Sequence, residues 1–193
     1  MQLSLFVTLL LRLLVACSTL QFCLTAPTNA TVSRDLFKRG YVPTDQQCDD
    51  ALKNNNFDGK AIFYTGDANP GPWRTKLGHK TVTNAYGGAY LSVAPSAPGP
   101  LAGVNDINDP LYKQIWGVLS AGFARATEGD TYIAMDPGQV ADPQSLWVTI
   151  ELPILMKTPG RRIFLVNAQD TNAIPLQIWP PGVPGGPMIP NSQ

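Results

Sequence analysis

Between Leu111 and Thr127 the side chains of Ile115, Leu119, Gly122, Phe123 and Ala126 recur at three- and four-residue spacing. That period lines them along one stripe of an α-helix. Asn108 or Asp109 can cap this helix, and Pro110 suits its first turn. A helix with one apolar stripe must bury it against another layer, and the sequence on either side supplies strand-like runs. Lys60–Gly66 reads as a short strand ended by glycine, Thr131–Met135 as a second, Ser145–Leu155 as a third and Arg161–Asn167 as a fourth. The stretch CDDALKNNN, starting at Cys48, reads as a short helix or turn. Residues 67–110 are rich in Gly, Pro, Asn and Ala, so short irregular elements and long loops are expected there, a feature that often marks a functional region. No internal repeat is visible. The expected fold is α+β: a single domain in which a small sheet packs against a helical, loop-rich first half.

The ends of the chain read differently. MQLSLFVTLLLRLLVACSTLQFCLTAPTNA is an apolar run with a small-residue exit near Ala26. It has the layout of a secretory signal peptide, 1–26. The run is about long enough to span a bilayer, but Arg12 interrupts it and the exit suits cleavage, which favours a secreted, extracellular protein over a membrane-anchored one. Lys38-Arg39 is a dibasic pair in a polar segment, or else two ordinary surface charges; as a processing site it would close a pro-segment, 27–39, that also carries the only Asn-x-Ser/Thr sequon, Asn29-Ala30-Thr31. The expected domain then runs 40–175, followed by a Pro/Gly-rich tail, 176–193, extended or disordered, from which Trp179 could pack back.

Trimming changes what cysteine and charge mean. Cys17 and Cys23 fall in the signal, leaving Cys48, so no internal disulfide can form and stability rests on an ordinary core or on pairing between chains. From residue 40 onward ten basic side chains face thirteen acidic ones, a net of −3. The remaining basic pair, Arg161-Arg162, is too small for a nucleic-acid surface, and no nucleic acid or membrane is expected as a partner after cleavage.

Glutamate is scarce: only Glu128 and Glu151 occur. Read as a strand, SLWVTIELPIL puts Leu146, Val148, Ile150 and Leu152 on one face and Trp147, Thr149 and Glu151 on the other. Glu151 then points to solvent, the commoner fate of a charged residue, or into a cleft beside Trp147 and Thr149. Strands disfavour glutamate, so its place in a Trp/Val/Ile-rich run asks for a reason.

The order of residues around it supplies one. Ile115-Trp116-Gly117-Val118-Leu119-Ser120-Ala121-Gly122-Phe123-Ala124, then a turn, a strand, a loop with Pro143 and Ser145, and Glu151-Leu152-Pro153-x-Leu155 together resemble the ADP-ribosyl cyclase and NAD glycohydrolase family. Phe63-Tyr64-Thr65-Gly66 is similar to that family's Trp-Ser segment, and Lys80–Asn84 lies where the family has Thr-Leu-Glu-Asp. The likeness covers roughly 61–166 and is strongest over 115–155. It implies that Glu151 is the catalytic carboxylate, stabilising or trapping the ribosyl cation as nicotinamide leaves NAD, a task carboxylates perform in glycoside hydrolysis. It implies substrate contacts from Trp116, Ser120 and Tyr64, with Thr83 in place of the family's acid. Each has a plainer reading, Trp116 as core and Ser120 as a spacer between helix and sheet. Arg125 or Arg74 could meet a diphosphate, a surface charge being the simpler assignment for each.

Two departures bear on activity. Without the acid at Thr83, and without the disulfides of the family's animal members, hydrolysis of NAD to nicotinamide and ADP-ribose is the simpler expectation than cyclisation. NAD would be a substrate and no cofactor is expected. A toxin or virulence factor acting on a host or competitor is one biological setting; a non-enzymatic secreted effector binding a protein partner, and a mono-ADP-ribosyltransferase, are the alternatives. The single histidine, His79, is not placed near Glu151 by the pattern, and one His, one Cys and scattered Asp offer no metal-ligand spacing.

Overall fold

The computed structural model describes residues 40–180. The expected signal peptide, 1–26, the expected pro-segment, 27–39, and residues 181–193 of the expected tail lie outside the described residues. Helix α1 (Asp45–Asn54) begins at a capping box, in which the Thr44 hydroxyl accepts from Gln47 N and the Gln47 side chain accepts from Thr44 N. Strand β1 (Ala61–Tyr64) follows, then the short helices α2 (Gly71–Leu77) and α3 (Val82–Tyr86), both within the stretch expected to be loop-rich. Helix α4 (Pro110–Ala126) starts where the sequence placed it: the Asp109 carboxylate accepts from Leu111 N at 2.8 Å, and Pro110 opens the first turn. Strand β2 (Thr131–Met135), a helical crossover containing α5 (Leu152–Lys157), strand β3 (Ile163–Asn167) and strand β4 (Leu176–Trp179) complete the order.

The four strands form one sheet in sequence order, β1 and β2 parallel, β2 and β3 parallel, β3 and β4 antiparallel. Alternation along each strand divides the core. Ala61, Phe63, Ile133 and Ile163 face α1, α3, α4 and the crossover, where Ile115, Leu119 and Phe123 are fully buried. Ile62, Ala134 and Val166 face the other way, onto Trp73 of α2. The domain is therefore α+β, with its larger core between the sheet and α4.

The segment Ser145–Leu155 corrects the strand expectation. Trp147–Glu151 forms a π-helical turn that runs directly into α5. Its buried residues, Trp147, Glu151, Leu152 and Leu155, follow helical spacing, whereas Val148 and Ile150, assigned to the core by alternation, are only half-buried. Topology overrides the local β preference: neighbouring parallel strands cannot be joined by a hairpin and need a crossover of a dozen or more residues, which this segment provides between β2 and β3. Pro153 explains the wide turn. It lacks an N–H, and in a regular α-helix its ring would crowd the Thr149 carbonyl; the π turn, with Leu152 N donating to Trp147 O, accommodates it.

Strand β4 also moves an expected boundary. Leu176 and Gln177 pair with Leu165 and Phe164, and Trp179 packs on the main core, so the sheet continues into the stretch read as a tail. Cys48 is fully buried against α4 and is not presented for pairing between chains. The basic pair is likewise no patch: Arg161 is buried and donates to Thr127 O, while Arg162 binds Asp130 through two contacts of 2.6 and 2.8 Å.

Candidate functional site

A cavity of about 630 Å³ opens at the carboxyl end of β1, the end at which ligands commonly bind in parallel sheets. Four elements build it. Phe63, Tyr64, Thr65 and Gly66 come from β1 and the turn after it, and Val82 and Thr83 from the start of α3. Tyr112, Lys113, Trp116 and Ser120 come from one face of α4; Trp147 and Glu151 come from the π turn. Tyr112, Trp116 and Ser120 are four residues apart, so successive turns of α4 present them to the same space. All five residues singled out in the sequence, Glu151, Trp116, Ser120, Tyr64 and Thr83, line this one cavity.

The π turn sets where the carboxylate points. Ser145 starts the helix, its hydroxyl accepting from Val148 N at 3.3 Å. One wide turn later Trp147 and Glu151 are both buried on the cavity side, and the Trp147 ring packs 5.5 Å from that of Phe63 on β1. Glu151 is only 6% exposed. Loss of hydration disfavours its charged form and pushes its pKa from 4.5 up to about 7, against which a hydrogen bond from the Ser120 hydroxyl pulls downward. A buried carboxylate in a cleft, with no cation beside it among the described residues, favours a positively charged ligand.

Aromatic groups form the walls. Trp116 is half-buried, with its ring 6.1 Å from that of Tyr112 and inclined at 56°. Its indole N–H is buried and has no partner among the described residues, and the same holds for the Thr65 hydroxyl at the end of β1. Tyr64 is 40% exposed at the rim. Thr83 is exposed and brings a hydroxyl, not a charge, to the wall.

Other candidates fall elsewhere. Arg125 pairs with Asp45 at 2.5 Å, and neither it nor Arg74 lines the cavity. His79 stacks edge-on against Tyr132, with Nδ1 2.8 Å from Leu77 O, and is not part of the lining. Among the described residues no group of three or more His, Cys, Asp or Glu side chains could hold a metal ion, and no helix is long and apolar enough to cross a membrane. Tyr112 and Lys113, not among the residues expected from the sequence, also line the cavity, and the four-residue step from Tyr112 to Trp116 to Ser120 is the sequence signal that points to the first of them.

The sequence matches no family model and no curated protein. Two solved structures are similar in fold at a distance. One is Aplysia cyclase complexed with substrate NGD and product cGDPR, 19% identical over 72% of this chain, with a TM-score of 0.43. The other is ADP ribosyl cyclase complexed with N1-cIDPR, 18% identical over 70% of this chain, with a TM-score of 0.41. The matched regions span 64% and 63% of those two chains.

Proposed function

We propose that the protein is a secreted NAD glycohydrolase, splitting the bond between nicotinamide and ribose to give nicotinamide and ADP-ribose. The observation that carries this reading is the placement of Glu151. It is buried, held by Ser120, and faces a cavity walled by Trp116 and Tyr64. Nicotinamide in NAD is already a cation, so it leaves without a general acid, taking the bonding electron pair and becoming neutral. The positive charge passes to the ribosyl carbon. A carboxylate in a partly desolvated site stabilises that charge far more than water does, and water then adds to the carbon and releases a proton. Trp116 offers a flat face for the nicotinamide ring, and Tyr64 a second one at the rim. The uncharged Thr83 leaves Glu151 as the only carboxylate lining the cavity among the described residues, which favours capture of the cation by water over cyclisation.

The amino-terminal pattern supports release from the cell, where NAD of a host or competitor would be the target. The test is incubation of the protein with NAD and measurement of free nicotinamide, with Glu151→Gln alongside. Nicotinamide and ADP-ribose should appear, and the substitution should lower the rate by about a thousandfold, as losses of a key electrostatic stabiliser do. Absence of nicotinamide release at micromolar protein defeats the proposal. Release that survives Glu151→Gln moves the chemistry to another residue. Label from the adenine side appearing on an acceptor protein redirects the reading to transfer.

A further inference from the structure

The cavity is electrically lopsided. Among the described residues Glu151 is its only acidic lining residue, and Lys113 is its only basic one. Both project from helices whose geometry fixes their separation: Ser120, which binds Glu151, lies seven residues after Lys113 on α4, about 10 Å along the axis. Lys113 is exposed, while Glu151 is buried. A ligand spanning the cavity therefore meets a carboxylate at its inner end and an ammonium at its mouth.

Lys113 also stands where local electrostatics would not put it. It closes the opening turn of a 17-residue helix, with Lys113 N donating to Asp109 O. Cations are unfavourable at this end, because the helix macrodipole is positive there. Among the described residues its ammonium forms no ion pair. The charge thus does little for the fold, and its field adds to that of the helix terminus at the cavity mouth. Sequence choices that go against local preference concentrate at functional positions.

We propose that Lys113 is the anion-recognising residue of this cavity, holding the phosphate-bearing part of a ligand whose cationic end faces Glu151, and so selecting phosphorylated nicotinamide nucleotides over the phosphate-free nucleoside. The inference rests on the NAD glycohydrolase reading for its substrate but not for its anion. The flexible stem of lysine lets a point charge follow a phosphate without fixed geometry, which suits a rim position.

The experiment compares the full chain with Lys113→Gln and Lys113→Arg on two substrates that share the scissile bond, NAD and nicotinamide riboside. Lys113→Gln should raise KM for NAD about three- to tenfold, the scale of one partly exposed charge pair, with kcat for NAD within about twofold. Lys113→Arg should restore KM, and KM for the riboside should not move with either substitution. Added salt should raise KM for NAD in the wild type and lose most of that effect in Lys113→Gln. An unchanged KM for NAD, or an equal rise for the riboside, overturns the proposal while leaving the glycohydrolase reading intact. If the wild type cleaves neither substrate, that reading fails and calorimetry with inorganic pyrophosphate decides the anion site: binding lost in Lys113→Gln upholds it, and equal binding, or none in the wild type, removes it.

Discussion

The Ser120 hydroxyl donates a hydrogen bond to the buried carboxylate of Glu151, joining the middle of α4 to the end of the π turn. Burial raises the pKa of Glu151 from 4.5 to about 7 in spite of that bond. The folded protein therefore holds a proton between those values that the unfolded chain has released, and its stability falls as pH rises across the window. The group's contribution is present in full below pH 4.5 and is lost as pH rises through about 7. The shift corresponds to about 3 kcal/mol. Urea unfolding of the wild type and of Glu151→Gln from pH 4.5 to 8 should show the variant gaining on the wild type by about that amount. Parallel stability curves would show that the carboxylate is hydrated after all. Ser120→Ala, which removes the downward pull, should move the wild-type transition to higher pH.

The same ionisation governs the proposed chemistry. Only the carboxylate form stabilises a ribosyl cation, so kcat/KM for nicotinamide release should rise about tenfold per pH unit below the pKa of Glu151 and level off above about 7. Bound NAD places a cation beside the carboxylate and favours its charged form. The midpoint for kcat should accordingly lie below that for kcat/KM. A rate profile flat from pH 5.5 to 8.5, against a measured Glu151 pKa within that range, would assign Glu151 another role.

What the sequence revealed and what it hid follow from the range of the forces involved. Helix α4 is legible because its stripe, its Asp109 cap and Pro110 all act within one or two turns. The crossover has the local pattern of a strand, because Trp147–Ile150 satisfies a period of two in polarity and is rich in β-branched side chains, while what rules a strand out is β2 and β3 lying side by side in parallel. That information is not local. The meeting of Glu151 with Trp116 and Ser120 at one cavity is legible all the same, since the scarcity of glutamate and its spacing from those residues do not depend on whether its segment is strand or helix. Lys113 is marked only weakly: an exposed residue on a helix has no periodicity to betray it, a basic side chain in the opening turn of α4 is its one departure from local preference, and its meaning depends on the cavity it borders. Strand β4 was hidden by the prolines and glycines that follow Trp179.

Two glycines of α4 give opposite predictions at the same helix propensity. A Cβ on Gly122 would lie 2.6 Å from the Tyr86 hydroxyl and 2.8 Å from Cys48 Cβ. Both neighbours are fully buried, and the Tyr86 hydroxyl is tied to Leu119 O at 2.9 Å, so neither can yield easily. Gly122→Ala should cost about 1–2 kcal/mol, the overpacking penalty less the gain from replacing glycine in a helix. On Gly117 the nearest atom is Ile150 Cδ1 at 3.3 Å, the free end of a flexible side chain. Gly117→Ala should be neutral or stabilising by up to about 1 kcal/mol. Denaturant midpoints of the two variants test the pair, and equal effects would contradict the close approach of α1 and α3 to α4.

Cys48 lies at that same approach, fully buried, with Sγ 4.0 Å from Val118 O. Burial raises its pKa and the Tyr86 hydroxyl only partly offsets this, so the thiolate needed for reaction is scarce at neutral pH. Reaction then has to wait for the contact between α1 and α4 to open. Alkylation followed by peptide mass mapping, which reads Cys48 separately from Cys17 and Cys23, should show Cys48 unmodified in the native protein and fully modified in denaturant. The labelling rate in intermediate urea should track global unfolding, because the thiol sits in the main core and not under a loop. Rapid labelling in the native state, or a Cys48-linked dimer on a non-reducing gel, would place α1 away from α4 in solution.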